Sequence, residues 1–230
     1  MPLKTHSYQK AVVALFLLVS AASIGIAARF YIPGAVGQFL FVLTRVWILA
    51  LPLIWSFWVD RRRLVISLPS RREFLAGTIL GLLMFGIILG AYWIIGHRWI
   101  DPVGVRAKAQ QVGIASSTVY LVGAFYFTFI NSLVEEYIWR WFVYRKCEVL
   151  LPGIFAVCLA ALCFTLHHII ALAAYTENCL VVVLSSLGVF IAGAVWSWCY
   201  LTYRSLWSCY VSHLLADLAI ALVGWHLLFG

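Results

Sequence analysis

The sequence predicts an all-α protein: a polytopic membrane helix bundle of about seven spanning helices, forming one membrane domain over residues 1–230. Three observations lead there. Of the 230 residues, 65% are apolar and only 10% charged, with a mean hydropathy of +1.02, whereas soluble domains run roughly 45–50% apolar and about 25% charged. The apolar residues come in continuous runs of about 20, the length that crosses a bilayer as a helix, without the alternation of a spanning strand. No polar block large enough for a soluble domain interrupts them, and so apolar a composition excludes disorder.

The first run, 11–29, follows a basic start at Lys4 and Lys10. Its length exceeds the 7–15 residues of a signal-peptide core, so it reads as a spanning helix. The second, 37–59, follows the turn formers Pro33 and Gly34. A basic loop from Asp60 to Arg72 leads to the third, 74–96, and the polar stretch from His97 to Gln111 leads to the fourth, 113–145. Pro152 and Gly153 open the fifth, 152–175; Thr176, Glu177 and Asn178 separate it from the sixth, 179–203; the seventh is 205–229. The six cysteines show no CxxC pair and lie mostly in apolar runs, where cysteine is a small hydrophobe, so no disulfide framework is expected.

Lys and Arg set the expected orientation. With a cytoplasmic N-terminus, ten fall on the cytoplasmic side and four on the far side, leaving Arg45 and Arg140 within spans. The C-terminus is then expected outside. The net charge of +8 answers to anionic lipid headgroups: the bilayer is the expected partner of the basic loop, and no nucleic acid is.

Ionisable groups at membrane depth are expensive and mark function by default. They are Arg45, Glu135, Glu136, Arg140, His167, His168, His213 and Asp217. Glu136 precedes Arg140 by one turn, the favourable order for an ion pair, while Glu135 is rotated about 100° away onto the face of Asn131. His167 and His168 point in different directions, so at most one is expected beside Glu135. His213 and Asp217 share a face one turn apart. Arg45 has no evident partner and reads as a snorkelling or helix-contact residue. A buried clasp would account for Glu136 with Arg140, and His213 with Asp217 could satisfy each other, but Glu135 would then be left without a partner.

Glu135-Glu136-Tyr137-Ile138-Trp139-Arg140, then Phe164 to His168, then His213 to Asp217 fall in that order within residues 131–217. In a membrane protein of this size they resemble the CPBP family (CAAX proteases and bacteriocin-processing enzymes, also called ABI), which includes the type 2 CAAX prenyl endopeptidases. The resemblance implies an intramembrane endopeptidase with a motif core at 131–217 and no cofactor. Glu135 and His168 would activate a water and His213 would stabilise the oxyanion, with Glu136, Arg140, Asn131 and Phe164 in support. Asp217 stands where many members have Asn. An ionised Asp cannot donate to an oxyanion, so Asp217 either keeps its proton or orients His213.

The chemistry suits the site. Desolvation disfavours a carboxylate's charge and makes it a better general base, and an N–H aimed at developing charge counts most where the dielectric is low. One Glu with two His is also a catalytic zinc ligand set, here Glu135, His168 and His213, which keeps a zinc-dependent version of the same hydrolysis open. No HExxH occurs, and the three residues come from separate spans. A small transporter or a non-enzymatic membrane binding or immunity protein uses the same facts, but no inverted repeat is visible and binding alone has no need of all three groups. The expected substrate is a membrane-anchored protein or peptide, including sorting-signal tails, and the expected location is a prokaryotic inner (plasma) membrane. One difficulty stands. On these spans Glu135 lies about 15 Å from the end of the fourth and His168 about 23 Å into the fifth, a depth mismatch of roughly 8 Å that a tilted fourth span or an interfacial piece at Leu150 to Phe155 would close.

Overall fold

Lipid offers backbone groups no hydrogen bonds, so a spanning chain must satisfy them within helices or a closed barrel. The computed structural model, which describes residues 2–61, 68–114 and 116–230, is helical and contains no strand among the described residues. In chain order the helices are α1 (Pro2–Tyr31), α2 (Gly34–Val59), α3 (Arg71–Trp99), the short α4 (Pro102–Gln111), α5 (Ser117–Leu150), α6 (Gly153–Tyr175), α7 (Cys179–Tyr203) and α8 (Trp207–Phe229). All but α4 are long and apolar enough to cross a membrane. Arg62 and Arg63 of the basic loop, and the side chain of Lys4, lie outside the described residues.

Side chains close the helix starts. Ser70 and Glu73 form a reciprocal capping box at α3, with Ser70 N–H on Glu73 Oε2 at 2.7 Å and Glu73 N–H on Ser70 Oγ at 3.2 Å. Asn178 Oδ1 accepts from the amides of Leu180 and Val181 at the start of α7.

The charged residues Arg145 to Glu148 do not end the fourth span. Helix α5 runs on to Leu150, because Lys146 is buried in an ion pair with Asp60 at the end of α2 and Glu148 pairs with Arg204 beyond α7 at 2.7 Å. Leu151 is then extended, and Gly153, at φ +52°, turns the chain into α6. Glu135 thus lies fifteen residues before Leu150 and His168 fifteen after Gly153, each about 22 Å from the turn. The two residues share one depth, and the expected mismatch is removed by the extra turn and a half of α5.

The core surrounds the second half of α5. Ile138, Phe142 and Tyr144 pack with Leu18 of α1, Val157 of α6 and Tyr200 of α7. Helix α3 lies along α8 at a seam where Gly77 and Gly81 face Ser208, Ser212 and Leu215, so closely that a Cβ on Gly77 would sit 2.6 Å from the Ser208 carbonyl oxygen. Two stretches of α5, Tyr126–Asn131 and Tyr137–Tyr144, are π-helical and bracket Ser132–Glu136. Such turns recur at functional sites.

Candidate active site

The bracketed segment of α5 packs against α8, and the stretch after it packs against α6 and α7. This brings the membrane-depth groups of three motifs to one place. Arg140 and Glu136 are both fully buried, with Arg140 Nη1 3.1 Å from Glu136 Oε1, the pair that their spacing predicts. The Arg140 guanidinium also lies over the rings of Phe164 at 4.6 Å and Trp196 at 5.0 Å, and makes no well-directed hydrogen bond among the described residues. One carboxylate and two aromatic faces hold it.

Glu136 has a second partner that its spacing does not predict. Its Oε1 accepts from His213 Nδ1 at 2.7 Å, and the His213 ring stacks on Trp196 with centroids 4.0 Å apart. The orienting group for His213 is therefore Glu136. Asp217, expected as a possible orienter, has its nearer oxygen 3.6 Å from His213 Nε2 and instead meets Ser132 Oγ at 2.7 Å. His213 Nε2 faces Glu135 Oε2 at 3.7 Å.

Glu135 is held as helix periodicity requires, with Asn131 Nδ2 donating to its Oε1 at 2.9 Å. His168 Nδ1 lies 2.9 Å from the Phe164 carbonyl oxygen, which can only accept, so the proton is assigned to Nδ1 and the lone pair to Nε2. Both imidazoles, not one, join Glu135: the rings of His167 and His168 are 4.1 Å apart, and one donor atom from each of Glu135, His167 and His168 falls within 4.8 Å of the others. Glu135 sits between the two directions in which successive residues of α6 point. His213 lies outside that three-donor set, so the ligand-type cluster is not Glu135, His168 and His213. His167 stacks on Trp139 at 4.9 Å, nearly parallel, and its buried Nδ1 has no hydrogen-bond partner.

Residues 117–219 match the family model described as Type II CAAX prenyl endopeptidase Rce1-like. This match supports the CAAX-protease family. Comparison with curated proteins and with solved structures gives no match. The match runs from the start of α5 to the middle of α8 and takes in every site residue named above except Arg45. Seven helices able to span, together with this match, make the chain an integral multi-pass membrane protein.

Within the CAAX-protease core, several residues carry no signal that spacing alone would find. Ser132 has one O–H and two close acceptors, the Thr128 carbonyl oxygen at 2.6 Å and Asp217 Oδ2 at 2.7 Å. Trp139 and Trp196 supply flat walls for His167 and His213. Arg45, outside the core on α2, has no carboxylate within ion-pairing distance among the described residues. It lies over the Phe41 ring at 5.0 Å. One turn further along α2, the Leu49 carbonyl accepts from the Tyr137 hydroxyl at 3.0 Å, which ties α2 to α5 beside the site.

Proposed function

We propose that this protein is an intramembrane endopeptidase that hydrolyses a peptide bond of a membrane-anchored protein or peptide, using water activated by Glu135 and His168 and no resident metal. One observation carries this reading. The donor atoms of Glu135 and His168 lie within 4.8 Å at one depth, a gap that a single water bridges with two hydrogen bonds of about 2.8 Å. Glu135 Oε2 takes a proton from that water while His168 Nε2 holds it, and the nascent hydroxide attacks the substrate carbonyl carbon. The proton then passes to the leaving amine as the C–N bond breaks. His213 Nδ1–H is committed to Glu136, so an Nε2–H for the oxyanion requires the imidazolium form. Glu135 and Glu136, each with an oxygen within 4 Å of the ring nitrogens, supply counter-charge for that form.

Hydrogen-bond counting assigns Asp217 its state. If the single Ser132 proton went to Asp217, the Ser132 and Thr128 oxygens would face each other at 2.6 Å with no hydrogen between them. A proton on Asp217 Oδ2 removes the conflict: Asp217 donates to Ser132, and Ser132 donates to Thr128. A neutral Asp217 then presents the donor and acceptor pattern of Asn, the residue common in the family at this position.

We place the N-terminus in the cytoplasm and the protein in a prokaryotic inner membrane. Support comes from the Lys/Arg asymmetry and from Lys10, Arg145 and Lys146 gathering at one end of the bundle. A C-terminal reporter active only in the cytoplasm should stay silent. For the activity, purified protein in proteoliposomes should cleave a membrane-anchored test peptide and the Glu135→Gln variant should not. Equal turnover by both would end the reading.

A further inference from the structure

We propose that Glu135, His167 and His168 form a binding site for a divalent transition metal of the zinc class, and that a bound metal excludes the hydrolytic water and so shuts the enzyme off. The direction of this effect rests on the metal-free reading above; the site itself does not. Four observations build it. The donors of the three residues already converge within 4.8 Å on two adjacent helices. His168 donates Nδ1–H to the Phe164 carbonyl, the arrangement by which metal-bound histidines fix their tautomer and free the other nitrogen. Asn131 donates to Glu135 Oε1, a matching support for the carboxylate. His167 is 92% buried, yet its Nδ1 meets no partner, although buried polar atoms are nearly always satisfied. A metal on that imidazole, directly or with the ring turned about its plane against Trp139, would remove the anomaly.

Two nitrogens and one carboxylate oxygen suit zinc and its neighbours, with bonds of about 2.0–2.2 Å, and donors this close need only small side-chain rotations to reach them. Occupancy would silence the site because the ligand set consumes its base. Glu135 would be a ligand, Glu136 is committed to Arg140 and His213, and Asp217 to Ser132, so no free carboxylate remains to take a proton from a metal-bound water.

The experiment uses chelator-stripped, purified full-length protein titrated with Co2+, followed by its visible d–d absorption, and with Zn2+, followed by calorimetry. Peptide cleavage is measured at buffered Zn2+ in parallel. The wild type should bind one metal per chain and lose turnover as it fills. His167→Gln should weaken binding at least about tenfold, the lower end of what losing even a supporting partner costs. Its inhibition by Zn2+, expressed relative to its own metal-free turnover, should shift with its affinity. Thermal unfolding checks that the variant is folded, and His168→Gln, read by Co2+ absorption alone, provides a second ligand deletion. Absence of stoichiometric binding, or binding equal in His167→Gln, overturns the site. Binding that raises turnover overturns both the inhibition and the metal-free function. A protein that binds Co2+ through His167 but cleaves no peptide with or without metal leaves the site standing and refutes the function alone.

Discussion

Glu135 and Glu136 are neighbours in sequence with separate duties, and exchanging each for Gln separates them. In Glu136→Gln the shape is kept and the charge is lost. Arg140 is then a fully buried cation whose single counter-charge, 3.1 Å away, has gone. Removing one partner of a buried pair costs about 3–5 kcal/mol. The rings of Phe164 and Trp196 remain over the guanidinium, each worth roughly 0.5–2 kcal/mol, which puts the expected loss near the lower bound, about 3 kcal/mol. The same change turns the His213 acceptor from an ion into a neutral amide. That weakens the hydrogen bond by about 1 kcal/mol, or roughly fivefold in turnover per folded molecule. Glu135→Gln should behave in the opposite way, with unfolding within about 0.5 kcal/mol of wild type. Its turnover should fall by at least about 100-fold, equivalent to about 2.7 kcal/mol of transition-state stabilisation. Thermal unfolding in detergent, with turnover normalised to folded protein, reads both quantities. A stable Glu136→Gln that is inactive, beside an active Glu135→Gln, would refute the division.

Asp217→Asn should preserve turnover to within about threefold, since amide and neutral acid donate and accept alike, whereas Asp217→Ala should lose at least about tenfold; equal damage from both would mean that the ionised carboxylate is needed. Exhaustive dialysis against a zinc chelator should leave peptide cleavage intact, and a loss reversed by added zinc would put the metal in the mechanism. Gly77→Ala should destabilise the protein by about 1–3 kcal/mol, because its Cβ would meet the Ser208 carbonyl at 2.6 Å, while Gly86→Ala, with nothing within 4 Å, should be neutral or stabilising in the same unfolding assay.

Residues near one another in sequence were legible. Seven apolar runs foretell seven long helices, and the one-turn spacings of Asn131 with Glu135 and of Glu136 with Arg140 foretell their contacts. What escaped reading depends on partners far along the chain. Arg145 to Glu148 look like the end of a span until Lys146 is seen to meet Asp60, 86 residues away, and Glu148 to meet Arg204, 56 away. The claim of Glu136 on His213 crosses 77 residues. His167 and His168 seem to diverge when one helix is considered alone; a carboxylate on another helix can stand between them. Helical periodicity describes one cylinder, and these contacts belong to pairs of cylinders.

The π-helical stretches on either side of Ser132–Glu136 bear on how this helix tolerates change in length. Each closes i→i+5 rings and so holds one residue more than an α-helical turn. Deleting one residue from either stretch would close an ordinary i→i+4 turn in its place, with four residues covering about the rotation that five cover in the wider turn, and the helix beyond would keep its facing. The wide turns act as slack in the count of residues. They let α5 gain or lose a residue above or below the site, while the five residues between them keep their grip on His213 and Asp217.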